Sequence, residues 1–256
     1  MSIKPLREQG DPATRFSDRV RDYERFRPSY PPPAIDAILD GLGDPATLVA
    51  ADVGAGTGIS ARLLAARAVH VHAIEPNNEM REAGERAGSG RPGRIDWRDA
   101  TGEATGLPDH SVDLITCAQA YHWLDPDRAA TEFTRILKPG GRIALMWNDW
   151  DETHPVTSGY SRLIRRHCTG LPPHHEEWTP TVSGKLMVTG TRRFPHAQRL
   201  DAEGLVGRAM SASYVPKQGP AHDAIVSGLR ALHAEHAGAD GLVDLAYETW
   251  VCFVGT

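Results

Sequence analysis

Asp52, Gly54, Gly56 and Gly58 stand at alternate positions in Asp52-Val53-Gly54-Ala55-Gly56-Thr57-Gly58, and a second acid, Glu75, closes the next apolar run. Residues of these types at this spacing suit a polar, nucleoside-like ligand. Glycine tolerates positive φ and leaves no Cβ between ligand and backbone. A helix that starts just after such a turn presents N–H groups and the positive end of its dipole. An acid one strand over accepts hydrogen bonds from ribose hydroxyls. A dinucleotide fingerprint would require its third glycine where this chain has Ile59, so the G-x-G-x-G spacing points away from that ligand class.

A second group of reactive types lies at Gln119, Tyr121, His122 and Trp123, just past another apolar run. His122 has the side chain suited to taking a proton near neutral pH; the alternative is a packing and positioning role. The indole of Trp123 could cover a cation or fill a gap. Upstream, Tyr23 and Arg27 fall on a helical stretch that reads either as a lid over the site or as a docking helix. As a lid, Arg27 could pair bidentately with a carboxylate.

These groups need a frame to hold them. Residues 47–53 form a strand-length apolar run, and Ile59–Arg67 follows as a helix free of Gly and Pro. Val69–Glu75 reads as the second strand, with a helix around Met80, and Ile95–Arg98 as a short third strand. The loop 99–109 leaves the carboxyl end of that strand and offers Asp99, Thr101, Gly102, Glu103 and Ala104 to a bound base. Ser111–Ala120 is the fourth strand, a helix runs to Leu137, Lys138–Gly141 is a tight turn, and Arg142–Asn148 is the fifth strand. Pro28 and Pro31-Pro32-Pro33 end the first helix and open a second that reaches Leu42. Further helices are expected at 202–210 and 221–236. The alternation of strand and helix predicts an α/β fold around a parallel sheet. It divides into lid and docking helices at 1–46, a ligand-binding core at 47–150, a cap at 151–192 that shapes an acceptor pocket, and a C-terminal completion of the sheet at 193–256.

The chain of 256 residues is 40% hydrophobic, enough for a full core, and its net charge of −5 argues against a nucleic-acid surface. No apolar run is long enough for a membrane span, and the N-terminus lacks the apolar segment of a signal peptide. Three widely spaced cysteines, Cys117, Cys168 and Cys252, fit a reducing cytoplasm and no disulfide framework. A monomer or homodimer is expected. His70 and His72 share a strand face without an acid or cysteine at metal spacing. His154, His167, His174 and His175, near Glu176 and Trp178, match no ligand motif either, so no metal is expected. Arg162, Arg165 and Arg166 read as a solvated helix face.

Arg27-Pro28-Ser29-Tyr30-Pro31, the glycine stretch, Ala118-Gln119-Ala120-Tyr121-His122-Trp123, Leu137-Lys138-Pro139-Gly140-Gly141 and Trp147-Asn148 occur in this order. Together they resemble the type 11 class I methyltransferases, the group that includes trans-aconitate-methyltransferase-like proteins. The resemblance runs from Phe16 to Asn148 and continues more weakly through 194–215 and 247–254, where the sixth and seventh strands would lie. It implies a Rossmann-like fold with a seven-stranded, mostly parallel sheet, flanking helices and a small cap. It implies S-adenosylmethionine (SAM) as cofactor and S-adenosylhomocysteine (SAH) as product, with methyl transfer to oxygen, nitrogen or carbon of a small-molecule acceptor. The cofactor-binding residues it implies are Tyr23, Arg27, Asp52, Gly54, Ala55, Gly56, Thr57, Gly58, Glu75, Pro76, Met80, Thr101, Gly102, Glu103, Ala118 and Gln119. Tyr121, His122 and Trp123 would border the reacting centre. The chain departs from its relatives at Asp149-Trp150, where they often carry a basic residue, and at Gly102, where they often have alanine. A SAM- or SAH-binding protein with a non-methylating role (cyclase, regulator or partner subunit) is the alternative reading.

Overall fold

Val49–Val53 (β1) carries small and β-branched residues, and all but the first are buried. A strand with no polar face needs a neighbour on each edge and a layer on each side. The computed structural model, which describes residues 20–87, 90, 92–169, 171 and 186–255, supplies both. β1 pairs in parallel with His70–Ile74 (β2) on one edge and with Val112–Ala118 (β4) on the other. Ile95–Arg98 (β3) adds beyond β2, and Leu137–Trp150 (β5) beyond β4, both parallel. Val243–Gly255 (β7) runs antiparallel to β5, and Met187–Leu200 (β6) forms the edge beside it. The order is β3-β2-β1-β4-β5-β7-β6, the seven-stranded, mostly parallel sheet expected.

Helices cover it in three groups. Pro32–Leu39 (α2) and Ile59–Ala65 (α3) seal one face, where Ile35, Ile38 and Leu64 meet Val71, Ala73 and Leu114. Asn78–Ala87 (α4) follows β2. Pro126–Ile136 (α5) covers the other face through Phe133 and Ile136, packed among Ile115, Ile143 and Leu145. Asp125 starts α5 by accepting from the Asp127 and Arg128 N–H groups, which would otherwise be unpaired. Pro155–His167 (α6), Ala202–Met210 (α7) and Pro220–His236 (α8) form a third core around Tyr160, Ile164, Leu205, Leu229 and Tyr247. The short helix Val20–Phe26 (α1) packs against both α4 and α7.

Two elements differ from expectation. β5 begins at Leu137 and carries Lys138–Gly141 within its span; Leu137 pairs with Val112, Gly140 takes φ 78°, and the register slips beside it. The tight turn is therefore an irregularity inside a strand. β6 begins at Met187, inside the segment read as cap, because an edge strand exposed on most of its length lacks the apolar pattern that marks strands. Within the described part of that segment, α6 packs on α8, β7 and β5. Residues 16–19, His174, His175, Glu176 and Trp178 lie outside the described residues.

Candidate functional site

The carboxyl ends of the parallel strands β1, β2, β4 and β5 share one edge of the sheet, and Tyr23 of α1 comes close to Gly56 there. At the end of β1 the chain turns through Gly54, Gly56 and Gly58 at φ 67°, 57° and 79°. A Cβ on Gly54 would come within 2.4 Å of the Ala120 Cβ, and one on Gly58 within 2.9 Å of Trp97. Gly56 is different: a Cβ there would meet only Met80 and Tyr23, at 3.7–3.9 Å. Gly54 and Gly58 are thus required by packing, and Gly56 marks the side where a ligand can approach.

The amides of this turn are not left bare, as the sequence reading supposed. Gly54 and Ala55 both donate to the Ile74 carbonyl, at 2.9 and 3.1 Å. Gly56 donates to Glu75 Oε2 at 2.8 Å, while Glu75 Oε1 accepts from the Asn77 N–H at 2.9 Å. Glu75 is 8% exposed and faces the turn. Burial raises its pKa, and the Asn77 and Gly56 N–H groups hold it down only in part. Each carboxylate oxygen keeps a second lone pair, enough for ribose hydroxyls.

Asp52 is fully buried. Its Oδ2 accepts from Ser60 Oγ at 2.6 Å and its Oδ1 from Thr116 Oγ1 at 2.8 Å. It therefore ties β1 to the start of α3 and to β4, which holds the turn between them in place. Complete burial drives its pKa up to about 6, against the opposing hydrogen bonds from Ser60, Thr116 and the Ala61 amide. Neither Ser60 nor Thr116 stands out in the sequence; only the folded register brings them to Asp52.

Around the turn, Met80 is buried and its N–H donates to Asn77 Oδ1 at 2.9 Å, and Pro76 is half-buried. Arg81 donates to the Glu75 carbonyl at 2.8 Å and lies 3.4 Å from Asp99, so it links β2 to the loop after β3. In that loop Thr101 is exposed and Gly102 packs on Val53 and Leu124. Glu103 Oε1 accepts from the Asp125 N–H at 2.8 Å, which commits that oxygen to the start of α5. Ala118 and Gln119 end β4, with Gln119 at φ 55° and its amide donating to the Asn148 carbonyl. Thr57 is buried, and its hydroxyl has no hydrogen-bond partner. Arg27 stacks over the Tyr23 ring at 4.7 Å, and its Nε is buried without a partner.

Residues 121–123 form a single 3-10 turn. His122 and Trp123 are half-buried, with ring centroids 5.1 Å apart. Tyr121 turns inward instead, packs against Phe133 at 6.4 Å and belongs to the core behind the site; burial raises its hydroxyl pKa. Among the potential acceptor-side groups, sequence reasoning missed Tyr160, Arg208 and Tyr247, which come from three separate elements.

The sheet also supplies an acid that the spacing of His70 and His72 did not show. Asp96 on β3 faces His72 across the ladder and lies 2.8 Å from His70 Nε2 and 3.9 Å from His72 Nδ1. Arg94 takes its other oxygen at 2.6 Å. Burial, His70 and the charge of Arg98 lower the His72 pKa to about 4. Two arginines beside the trio oppose a dication, and the group reads as a polar cluster on the sheet edge.

The turn with Gly56 open on one side, the buried Glu75 beside it and the unpartnered Thr57 hydroxyl fit an adenosyl cofactor, and define a nucleoside-binding α/β protein of the class I kind. Residues 51–145 match the family described as "Methyltransferase domain". An uncharacterized methyltransferase of Mycobacterium tuberculosis H37Rv is 42% identical over 191 residues, covering 70% of this chain and 75% of that protein. An uncharacterized methyltransferase-like protein of Schizosaccharomyces pombe is 34% identical over 218 residues, 83% of this chain and 82% of its own length. A solved structure from Anaeromyxobacter dehalogenans, provisionally named a type II methyltransferase, is 26% identical with a TM-score of 0.65, covering 90% of this chain and 97% of that one. The chain belongs to this methyltransferase family. It is a SAM-dependent methyltransferase.

Proposed function

We propose that the enzyme methylates a small-molecule acceptor held beneath α1, between the glycine turn, the carboxyl end of β5 and the amino end of β7. The observation that carries this reading is the roof itself: α1 packs on α4 at the cofactor side and on α7 at the far side, and Tyr23 reaches over Gly56. A site roofed in this way suits a small acceptor better than a broad macromolecular surface, and the net charge of −5 disfavours nucleic acid.

Bound SAM supplies a methyl group already activated by its sulfonium. The protein's share is orientation and exclusion of water, which in favourable cases lowers a barrier by roughly 7–11 kcal/mol. Glu75 would hold the ribose, the open face of Gly56 would admit the cofactor closely, and Arg27 would meet the methionyl carboxylate. His122, at the exit of β4, would take a proton from a hydroxyl, amine or acidic carbon. Trp123 beside it would shield the reacting centre. Three free cysteines, all buried, suit a reducing cytoplasm, and a monomer or homodimer is the expected assembly. No helix among the described residues is long and apolar enough to cross a membrane.

Incubation with methyl-labelled SAM and a panel of phenols, amines and acids tests the reading. Label transferred to a small molecule is the expected result. Label appearing only on protein or nucleic acid would overturn it.

A further inference from the structure

Arg208, on α7, is 4% exposed and is the one fully buried arginine among the described residues. Its Nε donates to the Tyr247 hydroxyl at 2.9 Å, but its Nη1 is buried with no partner. No carboxylate among the described residues lies within ion-pair reach of it. Other arginines find partners within the chain: Arg142 donates to the Ile38 and Asp40 carbonyls, and Arg135 pairs with Glu132 and Asp109. A guanidinium does not shed its proton. Buried charge without a counter-ion costs several kcal/mol, so a ligand that brings the missing charge recovers that cost.

The surroundings do not cancel the charge. Tyr160 and Tyr214 are the other hydroxyls near Arg208. Burial raises the pKa of Tyr160 and of Tyr247, so both stay neutral donors at physiological pH. Arg27 is close enough for its charge to act on the same two tyrosines. The cluster therefore holds two cations, neutral hydroxyls and no acid.

Its place is equally specific. Tyr247 sits opposite Trp150, the last residue of β5, and opposite His196 on β6. Phe26 packs on Gly207, the neighbour of Arg208, while Tyr23 on the same helix reaches Gly56. One short helix thus spans from the cofactor turn to Arg208.

We infer that Arg208, with Tyr160 and Tyr247, is the recognition element for an oxyanion (a carboxylate or a phosphate) carried by the methyl acceptor. The arginine fork binds such a group through paired, charge-assisted N–H donors, and neutral tyrosine hydroxyls can donate to it as well. The oxyanion is a handle that orients the acceptor, not the atom methylated. This rests on the methyltransferase reading, and the two fail separately in the following experiment.

Calorimetry first measures SAH binding to the parent, Arg208→Met and Arg208→Lys. Absence of SAH binding by the parent would count against the methyltransferase reading. Succinate and inorganic phosphate are then titrated, in separate arms, into each SAH complex, and the arm that binds identifies the oxyanion. The parent is expected to bind one of them. Arg208→Met should weaken that binding roughly ten- to hundredfold, and Arg208→Lys, which keeps charge without the fork, should fall between. Tyr247→Phe, which removes a hydroxyl and little volume, covers the case in which Arg208→Met fails to fold and should weaken the same anion. Failure of both anions to bind the parent's SAH complex, or equal binding by parent and the folded variants, would overturn the inference.

Discussion

The two halves of the site treat their buried polar groups in opposite ways. On the cofactor side the carboxylates and the first turn amides are answered from within the chain: Asp52 by Ser60 and Thr116, Glu75 by Gly56 and Asn77, the first two turn amides by Ile74, with the Thr57 hydroxyl left over. On the far side Arg208 Nη1, His196 Nε2 and Gln198 Oε1 are buried without partners. Protein interiors rarely leave such groups unmet. The cofactor side is a rigid platform built before any ligand arrives, and the far side is completed by what enters it.

Gly56→Val should show the platform's intolerance most sharply. A β-branched residue at φ 57° is strained, and its side chain would fill the approach beneath Tyr23. SAH binding should be lost in calorimetry while circular dichroism shows a folded protein; retained affinity would mean the ligand enters elsewhere.

Asp52 shows what self-sufficiency costs. Its pKa is about 6 in the fold against 3.8 for the free side chain, so the native state takes up the proton more readily than the unfolded chain. That contribution is complete below the unfolded value and is lost as pH rises through about 6. A shift of this size is worth up to about 3 kcal/mol at neutral pH. Asp52→Asn should therefore be at least as stable as the parent at pH 7 and should lack the decline between about pH 4 and 6. Urea denaturation across that window measures both, and a parent whose stability rises with pH there would contradict it.

His122→Ala probes the border between the halves. With His122 as base, turnover should drop about hundredfold while SAH affinity stays near the parent's; unchanged turnover would leave it a positioning residue. Glu75→Ala is expected to have the smallest effect, weakening SAH binding by about 1–3 kcal/mol. No loss in calorimetry would remove Glu75 from the ribose.

The difference between the halves also marks how far the sequence could be read. The glycine turn, β1, β2 and Glu75 were legible because they lie within one βαβ unit, where type and spacing are local signals. The partners of Asp52 were not, since Thr116 reaches it only through the pairing of β1 with β4. Asp96 stayed hidden from His70 for the same reason, one register away on β3. Arg208 reads in the sequence as one more charged residue of an amphipathic helix. Its burial depends on Phe26 packing beside it and on Tyr247 from β7, which are far away along the chain.

Because α1 bears on both α4 and α7, one short helix joins the glycine-turn side of the molecule to the side that holds Arg208. Whatever free energy one ligand spends or gains in settling that helix is shared by the other, and linkage makes the exchange reciprocal. An acceptor that tightens SAM by way of that helix must be tightened by SAM to the same degree.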